Sequence, residues 1–102
     1  MASRVSGKGQ GRRQSAGKKV RVKIDYDLER EYVWVYVRFE GNFTDAEKKR
    51  VANDLSRLFE EEHGLETWEE MTWEGDGVEI STVRKIKEKL ESRGYYVQLD
   101  VD

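Results

Sequence analysis

The chain has 102 residues, 39% of them charged and 36% hydrophobic, and carries no Cys and no Pro. That length specifies one domain with a small core. No stretch approaches the roughly 18 apolar residues of a membrane span, and without Cys there is neither a disulfide framework nor a thiolate metal site.

Residues 1–19 carry Arg4, Lys8, Arg12, Arg13, Lys18 and Lys19 and no acid. Built mostly of Ser, Gly, Gln and these cations, they bury too little apolar surface to offset ordering entropy. They are expected to form a disordered basic arm ahead of a domain spanning 20–102. With 13 basic residues left against 21 acids, Val20–Asp102 has a net charge of −8. A basic arm on an acidic body points to a polyanion as partner of the arm. A leader foreign to the domain is the other reading of this segment.

Val20 to Leu28 alternates, with Val20, Val22, Ile24 and Tyr26 facing one way and Arg21, Lys23, Asp25 and Asp27 the other. The polar link Leu28-Glu29-Arg30-Glu31 leads into Tyr32–Phe39, the longest run of β-branched and aromatic residues in the chain. The two strands predict a hairpin, closed by a two-residue or a four-residue turn. Either turn pairs Tyr26 with Val33, Ile24 with Val35, Val22 with Val37 and Val20 with Phe39. On the opposite face Asp25 lies beside Trp34, Lys23 beside Tyr36 and Arg21 beside Arg38. Two arginines across from each other repel unless an anion sits between them, either a carboxylate such as Asp100 or a bound phosphate.

Gly41-Asn42 ends the strand, and Thr44-Asp45-Ala46-Glu47 is a capping box. Val51, Ala52, Leu55, Leu58 and Phe59 recur at helical spacing up to Gly64, a left-handed cap. His63, the sole histidine, falls in the last turn, where a cation or a donor to free carbonyls is favoured. Thr67–Glu74 predicts a third strand in which Trp68 and Trp73 fall on opposite faces, the sign of a bulge or a short strand. The Gly75-Asp76-Gly77 turn predicts that Val78-Glu79-Ile80 pairs back briefly. Ser81 or Thr82 then caps a second helix with Val83, Ile86 and Leu90 inward, closed by Arg93-Gly94. Tyr95–Val101 is the last strand, with Tyr95, Val97, Leu99 and Val101 on one face. The order ββαβ(β)αβ, with one apolar stripe per helix, predicts an α+β fold. In this two-layer α/β sandwich both helices lie on one face of a single mixed sheet.

That architecture leaves Tyr32, Trp34 and Tyr36 on an uncovered sheet face with Arg21, Lys23 and Arg38 around them. Rings interleaved with cations stack on bases while binding phosphate, as the sheets of RNA-recognition domains do. Together with Arg12, Arg13, Lys18 and Lys19 of the arm, these residues are the candidate nucleic-acid site of a small non-enzymatic module. The alternative is protein–protein interaction or a homodimer through the same face. The acidic run Glu60–Glu79 offers a third reading, imitation of a phosphate backbone to inhibit a DNA-binding protein. The missing proline, where about 5% is ordinary usage, suits a thermophile protein, a small viral protein or an engineered one without evolved function.

An enzyme is not expected. With no Cys, one His and no glycine-rich phosphate loop, no cofactor, metal or small-molecule substrate is indicated. The nearest approach to a metal site is Asp25, Asp27, Asp100 and Asp102, which would gather around Mg²⁺ only if the first and last strands are neighbours. The first residues also lack the apolar core of a signal peptide, so the expected location is cytoplasmic, intracellular and reducing.

Overall fold

The computed structural model describes residues 17–102. Strands β1 (Lys19–Asp27) and β2 (Tyr32–Glu40) form an antiparallel hairpin. Its register is the one that the alternation requires: Tyr26 opposite Val33, Ile24 opposite Val35, Val22 opposite Val37 and Val20 opposite Phe39. The turn is the longer of the two possibilities. Asp27 Oδ1 accepts the N–H groups of Glu29 and Arg30, each at 3.1 Å, so a carboxylate organises the loop where no Asn-Gly pair is present. β1 starts at Lys19, one residue inside the expected arm. β2 runs out at Gly41, where φ is +94° and a Cβ would lie 1.8 Å from the Gly17 carbonyl oxygen. Only glycine lets the backbone leaving β2 pass this close to the backbone entering β1.

Helix α1 (Asp45–Ser56) begins with the expected reciprocal cap. Thr44 Oγ1 accepts the Glu47 N–H at 3.1 Å, and Glu47 Oε1 accepts the Thr44 N–H at 2.8 Å. The single helix expected as far as Gly64 instead changes character at Arg57–Glu62, which is a π-helical turn. Leu58 and Phe59 are both sealed in the core from this turn. From the same turn, Glu60 accepts from the Trp73 indole at 3.2 Å and from the Thr67 hydroxyl.

The predicted third strand is a hairpin in its own right, β3 (Glu66–Glu69) and β4 (Thr72–Gly75). Met71, at φ +60°, makes the turn, and a register shift between Thr67 and Glu69 accommodates the imperfect alternation. The short strand expected at Val78–Ile80 does not form. Its backbone is committed elsewhere: the Val78 N–H bonds to the Glu31 carbonyl at 2.9 Å, and the Val78 carbonyl accepts the Tyr26 hydroxyl. Helix α2 (Ile80–Ser92) therefore starts directly, with Glu79 rather than Ser81 or Thr82 at its N-cap and no side-chain cap bond. It ends in a Schellman motif, with Gly94 N–H to Glu91 O at 3.0 Å and Tyr95 N–H to Leu90 O at 3.1 Å. The motif needs the left-handed backbone of Gly94 (φ +93°).

Strand β5 (Tyr96–Val101) lies parallel to β1 at the sheet edge, giving one mixed sheet in the order β3-β4-β2-β1-β5. Leu55, Leu58 and Phe59 from the first helical segment and Val83, Ile86 and Leu90 from α2 join one core with Val22, Ile24, Val33, Val35 and Trp73. Both helices thus cover the same face, and the chain is the α+β two-layer sandwich that the pattern predicts. No described helix is long and apolar enough to cross a membrane.

Candidate functional site

Among the described residues, no helix or strand covers the other face of the sheet. Strand register arranges its side chains in rows. Arg38, Arg21 and Tyr96 form one row, and Tyr36, Lys23 and Gln98 the next. Then come Trp34, Asp25 and Asp100, extended by Glu74 and Glu66 from β4 and β3. Successive rows are about 6.6–6.8 Å apart along a strand. The face is therefore cationic at one end and acidic at the other, with aromatic rings in both halves.

The arginine pair forms as expected, Arg21 directly opposite Arg38. The carboxylate that relieves it is not Asp100 but Glu40, which pairs with the Arg21 guanidinium. Asp100 is two rows further along. It lies 2.8 Å from Lys23 Nζ, with Asp25 at 3.3 Å on the other side of the same ammonium. These hydrogen bonds raise the Lys23 pKa well above its usual value, and Lys23 in turn lowers that of Asp100. Arg38 has no ion-pair partner among the described residues. It lines a cavity of about 120 Å³ with Arg21, Lys23, Tyr36, Tyr96 and Gln98. A pocket for a whole small ligand occupies about 300–1,000 Å³, so this one has room for a single group such as a phosphate.

In the acidic half, Trp68 of β3 leans against Trp34 with ring centroids 6.1 Å apart and planes tilted by 56°. Trp34 is half-buried, whereas Trp68 is 60% exposed, the most exposed large hydrophobe described. Beside them the Tyr32 hydroxyl donates to Glu74. Burial and that carboxylate push the Tyr32 pKa up to about 12.

The structure brings together Arg21, Lys23, Tyr32, Trp34, Tyr36 and Arg38 from the predicted set. Lys19 joins them, its ammonium 5.2 Å from the Tyr96 ring centroid. Lys18 does not. It pairs with Glu47 at 2.7 Å and lies over the Phe43 ring, tying the strand start to α1. Arg12 and Arg13 lie outside the described residues. Sequence reasoning placed Trp68 on the opposite face from Trp73 but took that as the sign of a bulge or a short strand, and so left it out of the open face. It also left Gln98 out, although the β1–β5 pairing puts that residue beside Lys23.

The conditional metal cluster meets its condition, since β1 and β5 are neighbours and Asp25 faces Asp100. Lys23, however, occupies the space between those two carboxylates. Among the described residues, no group of three or more His, Asp or Glu is arranged to hold a metal. His63 is not a cationic helix cap either. Its Nε2 is buried with no hydrogen-bond partner among the described residues, and burial, then Lys89, lowers its pKa below the usual value, which disfavours the charged ring.

Compared with models of protein families, with curated proteins and with solved structures, the chain matches none. Over the described residues, fold and surface define its class: a small α+β sandwich with one uncovered, charge-divided aromatic sheet face.

Proposed function

We propose that the open sheet face is a non-enzymatic binding surface for single-stranded nucleic acid, engaged from its cationic end. The observation that carries this reading is the Arg21–Arg38 pair beside Tyr36 and Tyr96, around a phosphate-sized cavity in which Arg38 has no carboxylate of its own among the described residues. A bidentate guanidinium–phosphate contact would give Arg38 the anionic partner that Glu40 gives Arg21. Stacking on exposed rings is worth about 1–3 kcal/mol per base and needs no particular sequence. The basic residues Arg4, Lys8, Arg12 and Arg13 would add sequence-independent attraction that weakens with salt. The acidic row of Asp25, Asp100 and Glu74 confines phosphates to the Arg38 end. Titration of the full chain with oligothymidylate, followed by tryptophan fluorescence, tests the proposal. Quenching that salt reverses and Arg38→Ala weakens supports it; no change at low salt refutes it.

A second reading rests on a different observation. The exposed Trp68 against Trp34 is the kind of aromatic centre that protein interfaces use. A face cationic at one end and acidic at the other also complements itself about a two-fold axis. This reading requires a dimer in sedimentation that Trp68→Asp dissociates.

A further inference from the structure

The strand edge beside the site is incomplete. β2 pairs with β4 only from Val33 to Tyr36, because β4 begins at Thr72, opposite Tyr36. From Val37 to Glu40, β2 has β1 on one side and no strand among the described residues on the other. Unpaired strand edges are templates for another extended chain. Just beneath this edge, on the helix side, lies a cavity of about 610 Å³, into which Val37, Phe39, Ala52 and Met71 present apolar surface. Its rim carries Lys48 and Lys49 against Asp45 and Glu70, so the rim itself is close to neutral. Charge preference comes instead from the other side of the edge, where Arg38 stands exposed with no ion-pair partner among the described residues.

We infer that the Val37–Glu40 edge of β2 is a second site, which receives an extended peptide of another protein with an acidic residue between two apolar ones. The peptide takes the place that a longer β4 would have filled, its backbone bonded to the edge. Side chains alternate across a strand, so residues opposite Val37 and Phe39 enter the cavity while the one opposite Arg38 emerges on the open face. An Asp or Glu there accepts a charge-assisted bond from the guanidinium. Main-chain pairing supplies affinity and the alternate pockets supply selectivity, the mode by which exposed sheet edges take peptides.

The probe is a fluorescein-labelled peptide, Thr-Ile-Glu-Val-Thr, titrated into the full chain by anisotropy and by amide chemical shifts. The expected result is perturbation centred on the Val37–Glu40 amides. Replacing the central Glu by Lys should weaken binding by about tenfold or more, the scale of a lost charge-assisted bond. Arg38→Glu should reverse that preference, so a folded variant reports a gain as well as a loss. Peptides N-methylated at alternate positions should behave oppositely in the two phases, one abolishing binding and the other sparing it. Equal binding of both phases overturns the proposal, as does indifference to the central charge. Perturbation confined to Tyr96 and Gln98, or movement of the Val37–Glu40 amides by oligothymidylate and not by the peptide, also overturns it.

Discussion

Lys23 Nζ lies 2.8 Å from Asp100 Oδ2, across the parallel pair of the first and last strands. With Asp25 at 3.3 Å, the same ammonium joins two carboxylates that would otherwise face each other. This bridge marks the boundary between the cationic and acidic halves of the open face, and it fixes the edge strand β5 to β1 by side chains as well as backbone. Asp100 is held below its ordinary 3.8, so its contribution to stability is complete above that value and lost as pH falls through the lower folded one. Lys23 is held above its ordinary 10.5, so its share is complete below that value and lost as pH rises through the higher folded one. Lys23→Met should therefore lower the urea midpoint at pH 7, by a modest and salt-sensitive amount since Asp100 is half-exposed. The gap to the parent chain should stay constant down to about pH 3.8 and narrow as pH falls further below it. A gap that does not narrow on acidification would show that Lys23 acts by packing alone.

Glu47 works at the other layer. It closes the capping box on Thr44 and accepts from Lys18 at 2.7 Å. Its pKa is lowered from an ordinary 4.5 to about 2, with Lys18 as the largest cause and the Thr44 backbone next. Stability from Glu47 is therefore present above about 4.5 and disappears as pH drops towards about 2. Glu47→Gln keeps the shape but removes the charge. Its thermal midpoint should fall below that of the parent at pH 7 and converge with it near pH 2. Lys18→Ala should reproduce part of the loss, because the helix end and the strand start share this contact.

The hairpin of β1 and β2 was legible because strict alternation makes a slip of one residue turn every valine outward, leaving one acceptable register. The stripes of both helices and the cap at Thr44 were legible for the same kind of reason, since spacing and a short motif suffice. The β3–β4 hairpin was not. Its turn depends on Met71 adopting a left-handed backbone that no residue type in Glu70-Met71 advertises, whereas the glycine-rich Gly75-Asp76-Gly77 advertises a turn and leads into α2. At the site, the rows on β1 and β2 followed from the register. Which carboxylate answers which cation depended on the placing of β5, and that long-range parallel pairing leaves no local signal.

Glu31 ends the β1–β2 turn at φ +54°, and its side chain is exposed. The residue's backbone carbonyl, not its side chain, holds the Val78 N–H. A non-glycine residue in the left-handed region costs about 1–2 kcal/mol. Glu31→Gly should remove that strain while giving back part of it through a more flexible unfolded chain. The expected net gain is about 0.5–1 kcal/mol in urea unfolding. A loss would show that the Glu31 side chain makes a contribution that its exposure conceals.

Trp68 separates the two readings of the open face, because it belongs to the acidic half, away from the cavity at Arg38. If nucleic acid enters at the cationic end and its bases extend towards Trp34, Trp68→Ala should cost about 1–3 kcal/mol of oligothymidylate binding. Because no phosphate contact is lost, the salt slope should stay unchanged. Arg38→Ala should weaken binding as well, but with the slope reduced by about one counterion's worth. If the face instead closes on a second copy, Trp68→Ala should weaken the dimer in sedimentation. Raising salt would then weaken it further, since the cationic row of one copy lies on the acidic row of the other. Both experiments use the full chain, and Leu55→Ala serves as the control for global stability. That substitution lies in the sealed core and should cost about 2–5 kcal/mol of folding. While the variant remains folded, it should leave either kind of binding intact.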